Sequence, residues 1–448
     1  MNSTSRRDFL VQFAAFVAAT TLSARAATSE GKRVWRMGLI GAGWYGAVDL
    51  DTFRQVVPIE VVALADPDSE ALAQVKQEFH AKVPGGSIGL YRDYREMLAK
   101  HNFDLVLIAT PDHWHALAAI DSLRAGNHVF LEKPISIDII EGESIVAAAR
   151  KYGRLVQVNT QRRSAPHLVA AKREYVDSGM LGRIAYVNAY CYYDWGRAPV
   201  SHSEPPAGLD WDLWCGPAPL VPFNKALHPG GWRVHTAFSN GVTADMGVHI
   251  IDLVRHFLGL GWPKSVYSAG ALHIYTGGSG DAVDTQVVTY DFEQLQLIWQ
   301  LRMWGEPEDE TAGPWGATVF GDKGTLRINP FFAEFKPKGG TRVRHEAFME
   351  PALDPGQPGT FETVIPPSAR RHALNFIAAI ERGSPLASPV EDVHISSACC
   401  ILAQLSLKTR RSLRYDPGAR TCINDPEATA LLRRPYRAPW VHPEPEHV

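Results

Sequence analysis

Short, largely apolar runs alternate with amphipathic segments of helical length over the first third of the chain. The runs are Val34–Ile40, Glu60–Ala65, Phe103–Ala109, His128–Glu132 and Leu155–Asn159. Runs without regular polar alternation are typical of parallel strands that are buried on both faces, and the segments between them predict the covering helices. The pattern therefore predicts an α/β domain, with a doubly wound parallel sheet, over residues 33–158.

The pattern changes after residue 158, where apolar and polar positions alternate in short stretches, as in strands with one covered face. The candidate strands are 184–193, 265–273, 285–290, 295–303, 317–320 and 325–328, and the candidate helices are 167–178, 370–382 and 394–409. Residues 321–324, Gly-Asp-Lys-Gly, predict a hairpin turn. The sequence thus predicts a C-terminal α+β domain over 159–415, with a large open, mostly antiparallel sheet. No element is predicted for the tail, residues 416–448.

A glycine-rich turn follows the first apolar run. The turn consists of Gly41, Ala42, Gly43, Trp44, Tyr45 and Gly46, and the second apolar run ends in Asp66. Strand, G-x-G-x-x-G turn, helix, second strand and terminal acid together predict a Rossmann dinucleotide site, with the phosphates at the helix N-terminus and Asp66 on a ribose. Pro67 and Asp68 follow, with no cation for a 2′-phosphate. This favours NAD over NADP.

Polar residues follow the later strands of the predicted parallel sheet. Because ligands of such sheets bind outside the carboxyl ends of the strands, these residues and the glycine turn share one edge. The candidates are Thr110, Pro111, His113, Glu132, Lys133 and Gln157, and Gln161 is a further candidate for cofactor binding. A lysine at this edge can move a proton only if burial lowers its pKa or if its charge stabilises a developing alkoxide.

A second candidate constellation lies in the C-terminal domain. Asp245 and His249 are four positions apart, so a helix would place both side chains on one face. Asp252 lies three positions beyond His249 and is a candidate for fixing its tautomer. Imidazole suits proton transfer because its pKa lies near working pH. The irregular stretch 194–235 is long enough to suggest a function, and its aromatic and histidine side chains suggest either an additional acid or base or a sugar platform. These side chains, with the two tyrosines before the stretch, are Tyr192, Tyr193, His202, His228 and His235.

The glycine motif, Thr110-Pro111 and above all Glu132-Lys133-Pro134 resemble the Gfo/Idh/MocA oxidoreductases over roughly residues 34–410. The segment Trp211-Asp212-Leu213-Trp214-Cys215-Gly216-Pro217 resembles the exported bacterial branch of that family. The resemblance implies that Lys133 contacts the substrate hydroxyl beside the nicotinamide and that Pro134 follows a cis peptide. It also places the family's D-x-x-x-H motif on Asp245 and His249. The implied catalytic residues are Lys133, Asp245 and His249, and the implied substrate contacts add Arg162, Tyr193 and Trp232.

Composition narrows the possible partners and metal sites. The chain has 448 residues and a net charge of −3, which argues against nucleic acid or anionic membrane as a partner. Five cysteines without paired spacing predict free or buried thiols and no metal centre; one disulfide is the alternative, but its partners cannot be inferred from the sequence. A metal on Asp245 and His249 has weak support because no third ligand stands out. The resemblance implies a homodimer or homotetramer built on the open sheet.

The N-terminus has the pattern of an export signal. The pair Arg6-Arg7 precedes a short, moderately apolar segment, and Ala24-Arg25-Ala26 offers a cleavage site. This predicts a twin-arginine signal peptide over residues 1–26, a periplasmic location and no stable membrane span after processing. An uncleaved membrane anchor is the alternative.

Three functions are consistent with these observations. The leading hypothesis is an NAD-dependent oxidoreductase that acts on a secondary alcohol of a sugar, cyclitol or glycoside. Its catalytic step would be hydride transfer to the nicotinamide C4, with proton transfer by Lys133 and His249. The alternative is a redox-neutral glycoside hydrolase or lyase with tightly held NAD. A non-catalytic sugar-binding protein is disfavoured, because Lys133, Asp245 and His249 occur together.

Overall fold

The computed structural model of the protein describes residues 33–83, 86–306, 313–350 and 360–448. The predicted signal peptide, residues 1–26, lies outside the described residues, so export remains a prediction. Within the described ranges, no helix is both long enough and apolar enough to cross a membrane.

The first domain is a parallel sheet flanked by helices, as predicted, but it has six strands where five were predicted, because β3 is a short additional strand. The elements are β1 (Trp35–Ile40), α1 (Trp44–Val56), β2 (Ile59–Ala65), α2 (Ser69–Lys82), β3 (Gly89–Tyr91), α3 (Tyr94–Lys100), β4 (Leu105–Ile108), α4 (His115–Arg124), β5 (His128–Leu131), α5 (Ile139–Tyr152) and β6 (Val156–Val158). The strand order is β3-β2-β1-β4-β5-β6. All four residues of β4 are buried, as expected for a strand covered on both faces.

The second domain contains an eight-stranded mixed sheet. Its strands are β7 (Ile184–Tyr192), β8 (Ser265–Ala271), β9 (Thr285–Asp291), β10 (Gln296–Arg302), β11 (Trp315–Gly321), β12 (Gly324–Ile328), β13 (Phe332–Pro337) and β14 (Val343–Glu346). The order is β14-β13-β12-β11-β7-β10-β9-β8, and only β7 and β10 pair in parallel. This confirms the mostly antiparallel prediction. Phe320 pairs with Thr325 across the predicted hairpin.

The α-helices between residues 159 and 410 are α6 (Pro166–Ala171), which continues as a wider turn to Asp177, α7 (Trp211–Cys215), α8 (Gly241–Asp245), α9 (Gly247–Leu258), α10 (Phe361–Arg382) and α11 (Val390–Thr409). Of these, α9 and α11 cover one face of the sheet, whereas the apolar residues of α7 pack in a separate cluster with Phe223 and Phe238. Apolar residues of α9 and α11, including Leu253 and Ile401, share one core with inward-facing strand residues such as Val288 and Trp299. The outward faces of the strands stay partly exposed.

Helix α10 begins nine residues before the predicted start at Arg370. Thr360 and Thr363 form reciprocal hydrogen bonds at its N-terminus, and this capping stabilises the first turn. Pro366 and Pro367 lie within the helix. Because proline normally interrupts a helix, the sequence pattern did not predict the part before Arg370. The helix packs Phe376 against Phe130 of β5, with ring centroids 5.9 Å apart, so it completes the core of the first domain.

The tail, which has no predicted element, packs against both domains: Tyr415, Cys422 and Leu432 join the core of the second domain, and Val448 joins that of the first. It contains β15 (Tyr415–Asp416), β16 (Thr421–Cys422) and α12 (Pro426–Ala430). The His442 Nε2 and the Asp138 carboxylate are 2.9 Å apart, and the Tyr436 hydroxyl donates to Glu141 at 2.6 Å. Asp138, Glu141 and His442 are the only cluster with metal-ligand spacing among the described residues, and protein groups already engage all three. The five cysteines are buried and free.

Candidate active site

The glycine turn provides an open cradle at the N-terminus of α1. Gly41 has φ +92°, and a Cβ there would lie 2.6 Å from the backbone of Ala109. A Cβ at Gly46 would lie 2.1 Å from the carbonyl oxygen of Gly41, whereas a Cβ at Gly43 would meet nothing within 4 Å. No side chain caps α1. Two glycines are therefore needed by the fold, and the third leaves free space before uncapped N–H groups, which fits a dinucleotide pyrophosphate.

Asp66 ends β2 beside this cradle. Its carboxylate accepts hydrogen bonds from the backbone N–H groups of Ala42, at 2.7 Å, and of Asp68, at 2.9 Å. Burial raises the pKa of Asp66 to about 6, and these two hydrogen bonds oppose the shift. The carboxylate lies where the motif places the adenosine ribose, so the residues present fit NAD.

Lys133 and Asp245 form an ion pair between the two domains. The Lys133 Nζ donates to the Asp245 Oδ1 at 2.6 Å and to the Asp245 carbonyl oxygen at 3.1 Å. The two side chains are only 13% and 8% exposed. Lys133 and Arg233 lower the pKa of Asp245 despite its burial, so its carboxylate is ionised at neutral pH. The peptide bond between Lys133 and Pro134 is cis, as the family resemblance implied.

His249 lies on α9 next to this ion pair. The sequence predicted Asp245 and His249 on one helix. In the structure a break at Met246 separates α8, which ends at Asp245, from α9, which carries His249. The His249 ring packs edge-on against Trp315, with centroids 5.3 Å apart. Burial, then the charges of Lys133 and Arg162, hold the pKa of His249 well below its usual value. The ring is therefore neutral at neutral pH.

The predicted role of Asp252 is wrong. Its carboxylate does not contact His249; it makes two bonds with the Arg163 guanidinium, at 2.8 and 2.5 Å, and accepts the Ser396 hydroxyl at 2.8 Å. The helical spacing of three residues allowed a contact with His249, but the buried guanidinium takes both carboxylate oxygens. Within the described ranges, the His249 Nδ1 has no hydrogen-bond partner.

Arg162 and Tyr193, both predicted substrate contacts, lie beside Trp315. The Arg162 guanidinium stacks over the Trp315 ring, 5.0 Å from its centroid, and the residue is 4% exposed. Burial lowers the pKa of Arg162 to about 10. Tyr193 is half-buried, and the charge of Arg162 acts on its phenol. Trp232, the third predicted contact, packs under the Arg233 guanidinium at 4.4 Å.

The side chains of three predicted cofactor residues make protein contacts instead of facing open space. The His113 Nε2 lies 3.0 Å from the carbonyl oxygen of Trp214. Glu132 is buried and accepts the Asn159 amide at 2.5 Å. Gln161 donates to the Tyr45 hydroxyl at 3.1 Å.

The remaining predicted residues of this edge have different surroundings. Thr110 and Pro111 are half-buried between β4 and the turn that carries His113. Trp44 lies beside the cradle and is 78% exposed. Gln157, also placed at the edge, instead donates to the His372 carbonyl oxygen at 2.7 Å within the core.

The histidines and tyrosines near the irregular stretch have separate surroundings. The Tyr192 hydroxyl donates to Gln300, and the His235 ring lies 3.0 Å from the Ser279 hydroxyl. His228 lies 3.8 Å from the Asp68 carboxylate, and His202 forms an isolated backbone bridge. The structure therefore does not assemble these residues into one acid–base group.

Asp112 and Arg233 belong to the site and were missing from the predicted set. The Arg233 Nε lies 3.6 Å from the Asp245 Oδ2. Asp112 is 2% exposed, and burial, together with the negative charge of Asp245, raises its pKa well above the usual value. The position of Asp112, directly after Thr110-Pro111, was the available signal for this residue. Arg233 comes from an irregular stretch, so only tertiary structure reveals its role.

The chain resembles known dehydrogenases over parts of its length. It is 31% identical over 194 residues to 1-carboxy-3-chloro-3,4-dihydroxycyclo hexa-1,5-diene dehydrogenase of Comamonas testosteroni, covering 43% of this chain and 45% of that protein. It is 25% identical to D-apiose dehydrogenase of Paraburkholderia graminis, covering 71% and 74%. The chain thus spans less than half of the first relative.

A solved oxidoreductase from Agrobacterium radiobacter, in complex with NAD+, L-tartaric acid and magnesium, has the same fold. Its TM-score is 0.64 at 16% identity, over 85% of this chain and 98% of that one.

Sequence models of one family match three consecutive segments. They are described as oxidoreductase family, NAD-binding Rossmann fold (residues 35–160), GFO/IDH/MocA C-terminal domain (169–327) and oxidoreductase family, C-terminal alpha/beta domain (361–442). Together they span both domains and most of the tail. The chain therefore belongs to the GFO/IDH/MocA oxidoreductases, with an NAD-binding Rossmann domain at its N-terminal end.

Proposed function

We propose that the protein is an NAD-dependent oxidoreductase that oxidises or reduces one secondary carbon of a sugar, cyclitol or glycoside. The observation that carries the proposal is the buried contact between Lys133, at the carboxyl end of β5, and Asp245, next to the neutral His249. A proton donor, an anion that orients it and a proton acceptor thus lie at the cofactor edge of the sheet. The dehydrogenase names of the relatives support this reaction class.

Each of the three residues has a distinct task. Bound NAD supplies the hydride acceptor. Asp245 holds the Lys133 ammonium in place, and that ammonium stabilises negative charge on the substrate oxygen as its proton leaves. Burial and its cationic neighbours keep the His249 imidazole unprotonated, so a ring nitrogen is free to accept the proton, although the same surroundings make it a weak base. Trp315 fixes the plane of the imidazole by edge-on packing.

The test is a screen of sugars, cyclitols and glycosides with added NAD, followed by the absorbance of NADH. We expect one substrate class to reduce NAD with the wild-type protein and to do so at least about 100-fold more slowly with His249→Gln. Bound NAD, measured by mass analysis after denaturation, should be unchanged in the variant. Equal rates in both proteins would contradict the role of His249.

A second candidate, the redox-neutral hydrolase or lyase with retained NAD, is favoured by residues 206–218, here called the strap. At one end the strap bonds to the loop after β2: the Ser69 N–H donates to Gly208, and the Asp210 N–H donates to Pro67, both at 3.0 Å. At the other end the Trp214 carbonyl oxygen lies 3.0 Å from the His113 Nε2 and accepts the Trp114 Nε1–H at 3.0 Å. The strap therefore joins the loops that follow β2 and β4, between which a dinucleotide would extend, and this supports slow cofactor exchange.

Asp112 supplies the additional acid that this second reaction needs. Burial and the negative charge of Asp245 raise its pKa, which favours the protonated carboxyl, and Lys133 also lies close enough to act on it. The test measures aglycone release from aryl glycosides by protein that retains its own NAD. Aglycone release without NADH accumulation, lost in Asp112→Asn, would favour the second candidate. NADH accumulation without aglycone release would favour the first.

We also propose a periplasmic location and a homodimer or homotetramer. The Arg6-Arg7 pair and the apolar segment after it support export. A fractionation experiment tests this, because Arg6→Lys with Arg7→Lys should retain the protein in the cytoplasm. The outer face of the mixed sheet exposes Tyr186, Tyr267, Val287 and Phe320 by 39–49%, which supports a self-contact there. Light scattering of wild type and Tyr267→Glu would measure the change in assembly.

A further inference from the structure

Arg162 is a buried cation without a protein anion. Its side chain is enclosed by Trp315, Tyr45 and Tyr193, and the residue is only 4% exposed. No carboxylate among the described residues forms an ion pair with it, and its Nε is sealed from solvent without a hydrogen-bond partner. A buried guanidinium normally has a paired anion, because the cost of its desolvation is otherwise not recovered.

The neighbouring arginine provides the contrast within the same turn. Arg163, the next residue in the chain, is equally enclosed, but Asp252 bonds it at 2.8 and 2.5 Å, and Asp392 lies 2.7 Å away. The fold thus supplies two carboxylates to one guanidinium and none to the other. Arg162 is therefore the arginine that remains available to an external anion.

The other charged side chains of the site also leave an excess of positive charge. Lys133 and Arg233 share the single ionised carboxylate of Asp245, at 2.6 and 3.6 Å. Asp112 contributes little negative charge, since burial and Asp245 favour its protonated form. With Arg162 included, three cations face the ionised carboxylate of Asp245 and the carboxyl of Glu132, whose pKa burial raises to about 7. A substrate that enters this site gains from negative charge.

We propose that the substrate carries a carboxylate, as in a uronic or aldonic acid, and that the Arg162 guanidinium binds it while the reacting hydroxyl lies between Lys133 and His249. This deepens the proposed function and rests on it. A planar guanidinium matches a planar carboxylate with two parallel hydrogen bonds, and one unpaired cation matches a monoanion better than a phosphate dianion. Trp315 contacts both Arg162 and His249, so it fixes the spacing between the anion-binding group and the proton acceptor.

Calorimetry on the NAD-loaded protein tests this with matched ligands. The ligands are D-glucuronate, D-galacturonate and D-gluconate, each compared with its neutral amide, which has nearly the same shape. For wild type we expect at least one acid to bind about 10- to 100-fold more tightly than its amide. In Arg162→Gln the preference should be lost, so that the acid and its amide bind with about equal affinity. In Arg162→Lys, which keeps the charge and loses the planar fork, it should be intermediate.

Two controls separate this proposal from the function on which it rests. Arg302→Gln removes an arginine on the outer part of the sheet, over Tyr192, and should keep the full preference for the acid. Circular dichroism and NAD content verify that each variant is folded and loaded, and Arg162→Lys serves if Arg162→Gln does not fold. If the wild-type protein prefers the acid over its amide but oxidises neither, the oxidoreductase proposal is overturned and the carboxylate proposal stands.

Three outcomes would overturn the carboxylate proposal. In the first, no acid of the panel binds wild type better than its amide. In the second, Arg162→Gln keeps the preference. In the third, Arg162→Gln loses NAD instead, which would assign the guanidinium to the dinucleotide pyrophosphate near Tyr45. If Arg162→Gln oxidises a neutral sugar at the wild-type rate, the oxidoreductase proposal stands and the carboxylate proposal is rejected.

Discussion

The two walls of the active site are built in different ways. The nucleotide wall consists of residues that directly follow successive parallel strands, such as Asp66 after β2 and Lys133 after β5. The opposite wall, with Arg162, Arg233 and His249, comes from three separate segments, of which only the turn that carries Arg162 follows a strand of the parallel sheet, β6. The topology of a parallel sheet gathers the first set automatically. The second set needs specific tertiary contacts.

One contact organises much of the second wall. The buried pair Arg163–Asp252 joins the turn 161–164 to α9, and Ser396 of α11 supports it. Arg162 is the neighbour of one partner, and His249 lies one helical turn before the other. The pair therefore fixes the position of the guanidinium relative to the imidazole. A structural ion pair thus sets the geometry of the reactive residues without touching substrate.

The largest expected effect comes from breaking the contact between the walls. Asp245→Asn keeps the shape of the side chain and removes the charge that holds Lys133, so turnover should fall about 1000-fold. Because the nucleotide wall is untouched, NAD affinity should change by less than about threefold. Steady-state rates and NAD titration measure the two effects, with Asp322→Asn in the exposed hairpin as the control. An equal loss of NAD binding would show that the walls are not separable.

Removing one partner of the organising pair should cost stability and activity together. Asp252→Asn leaves the Arg163 guanidinium buried and partly unpaired, which should lower the free energy of unfolding by about 3–5 kcal/mol. Urea denaturation measures this loss. The double variant Arg163→Met with Asp252→Leu should regain much of the stability, because no uncompensated charge remains, but not the turnover. Recovery of turnover in the double variant would reject the positioning role.

Within the nucleotide wall, two alanine substitutions separate folding from binding. Gly46→Ala places a Cβ 2.1 Å from the Gly41 carbonyl oxygen, so it should destabilise the turn and abolish NAD binding. Gly43→Ala meets nothing within 4 Å and should fold normally, but the added methyl occupies the approach of the pyrophosphate. We expect about a tenfold weaker Kd for NAD. Thermal unfolding and fluorescence titration of both variants decide this; equal unfolding temperatures would contradict the distinction.

The smallest effect is a pH dependence of NAD binding. The Asp66 side chain accepts hydrogen bonds from ribose hydroxyls most strongly when it is ionised, and burial raises its pKa in the free protein to about 6. NAD binding to the ionised form lowers that pKa. The Kd should therefore be constant above pH 6 and rise by up to about tenfold per unit below it. Asp66→Asn should bind more weakly and without this dependence. A wild-type Kd that stays flat down to pH 5 would contradict the assignment.

Residues of the nucleotide wall were easier to predict from the sequence than residues of the opposite wall. The glycine turn, Asp66, Thr110 and Lys133 were found because local sequence specifies strand, turn and helix. Asp252 was assigned wrongly because helical spacing shows which residues share a face but not which partner lies opposite. Asp112 and Arg233 were missed because their roles depend on burial and on neighbours from distant segments. The start of α10 and the strands β13 and β14 were missed where prolines or irregular alternation interrupted the pattern.

The sequence by itself determined the architecture of two domains, the dinucleotide cradle and the identity of Lys133, Asp245 and His249 as candidates. The architecture and the cradle followed from hydrophobic periodicity and glycine geometry, which act over short distances along the chain, whereas the catalytic roles of the three candidates were implied by the resemblance to a known family. Only the tertiary structure decided which charges are paired. It placed Asp252 on Arg163, left Arg162 without an anion and tied the strap to two nucleotide loops. The physical reason is that electrostatic balance depends on distances between residues far apart in sequence, which no local pattern encodes.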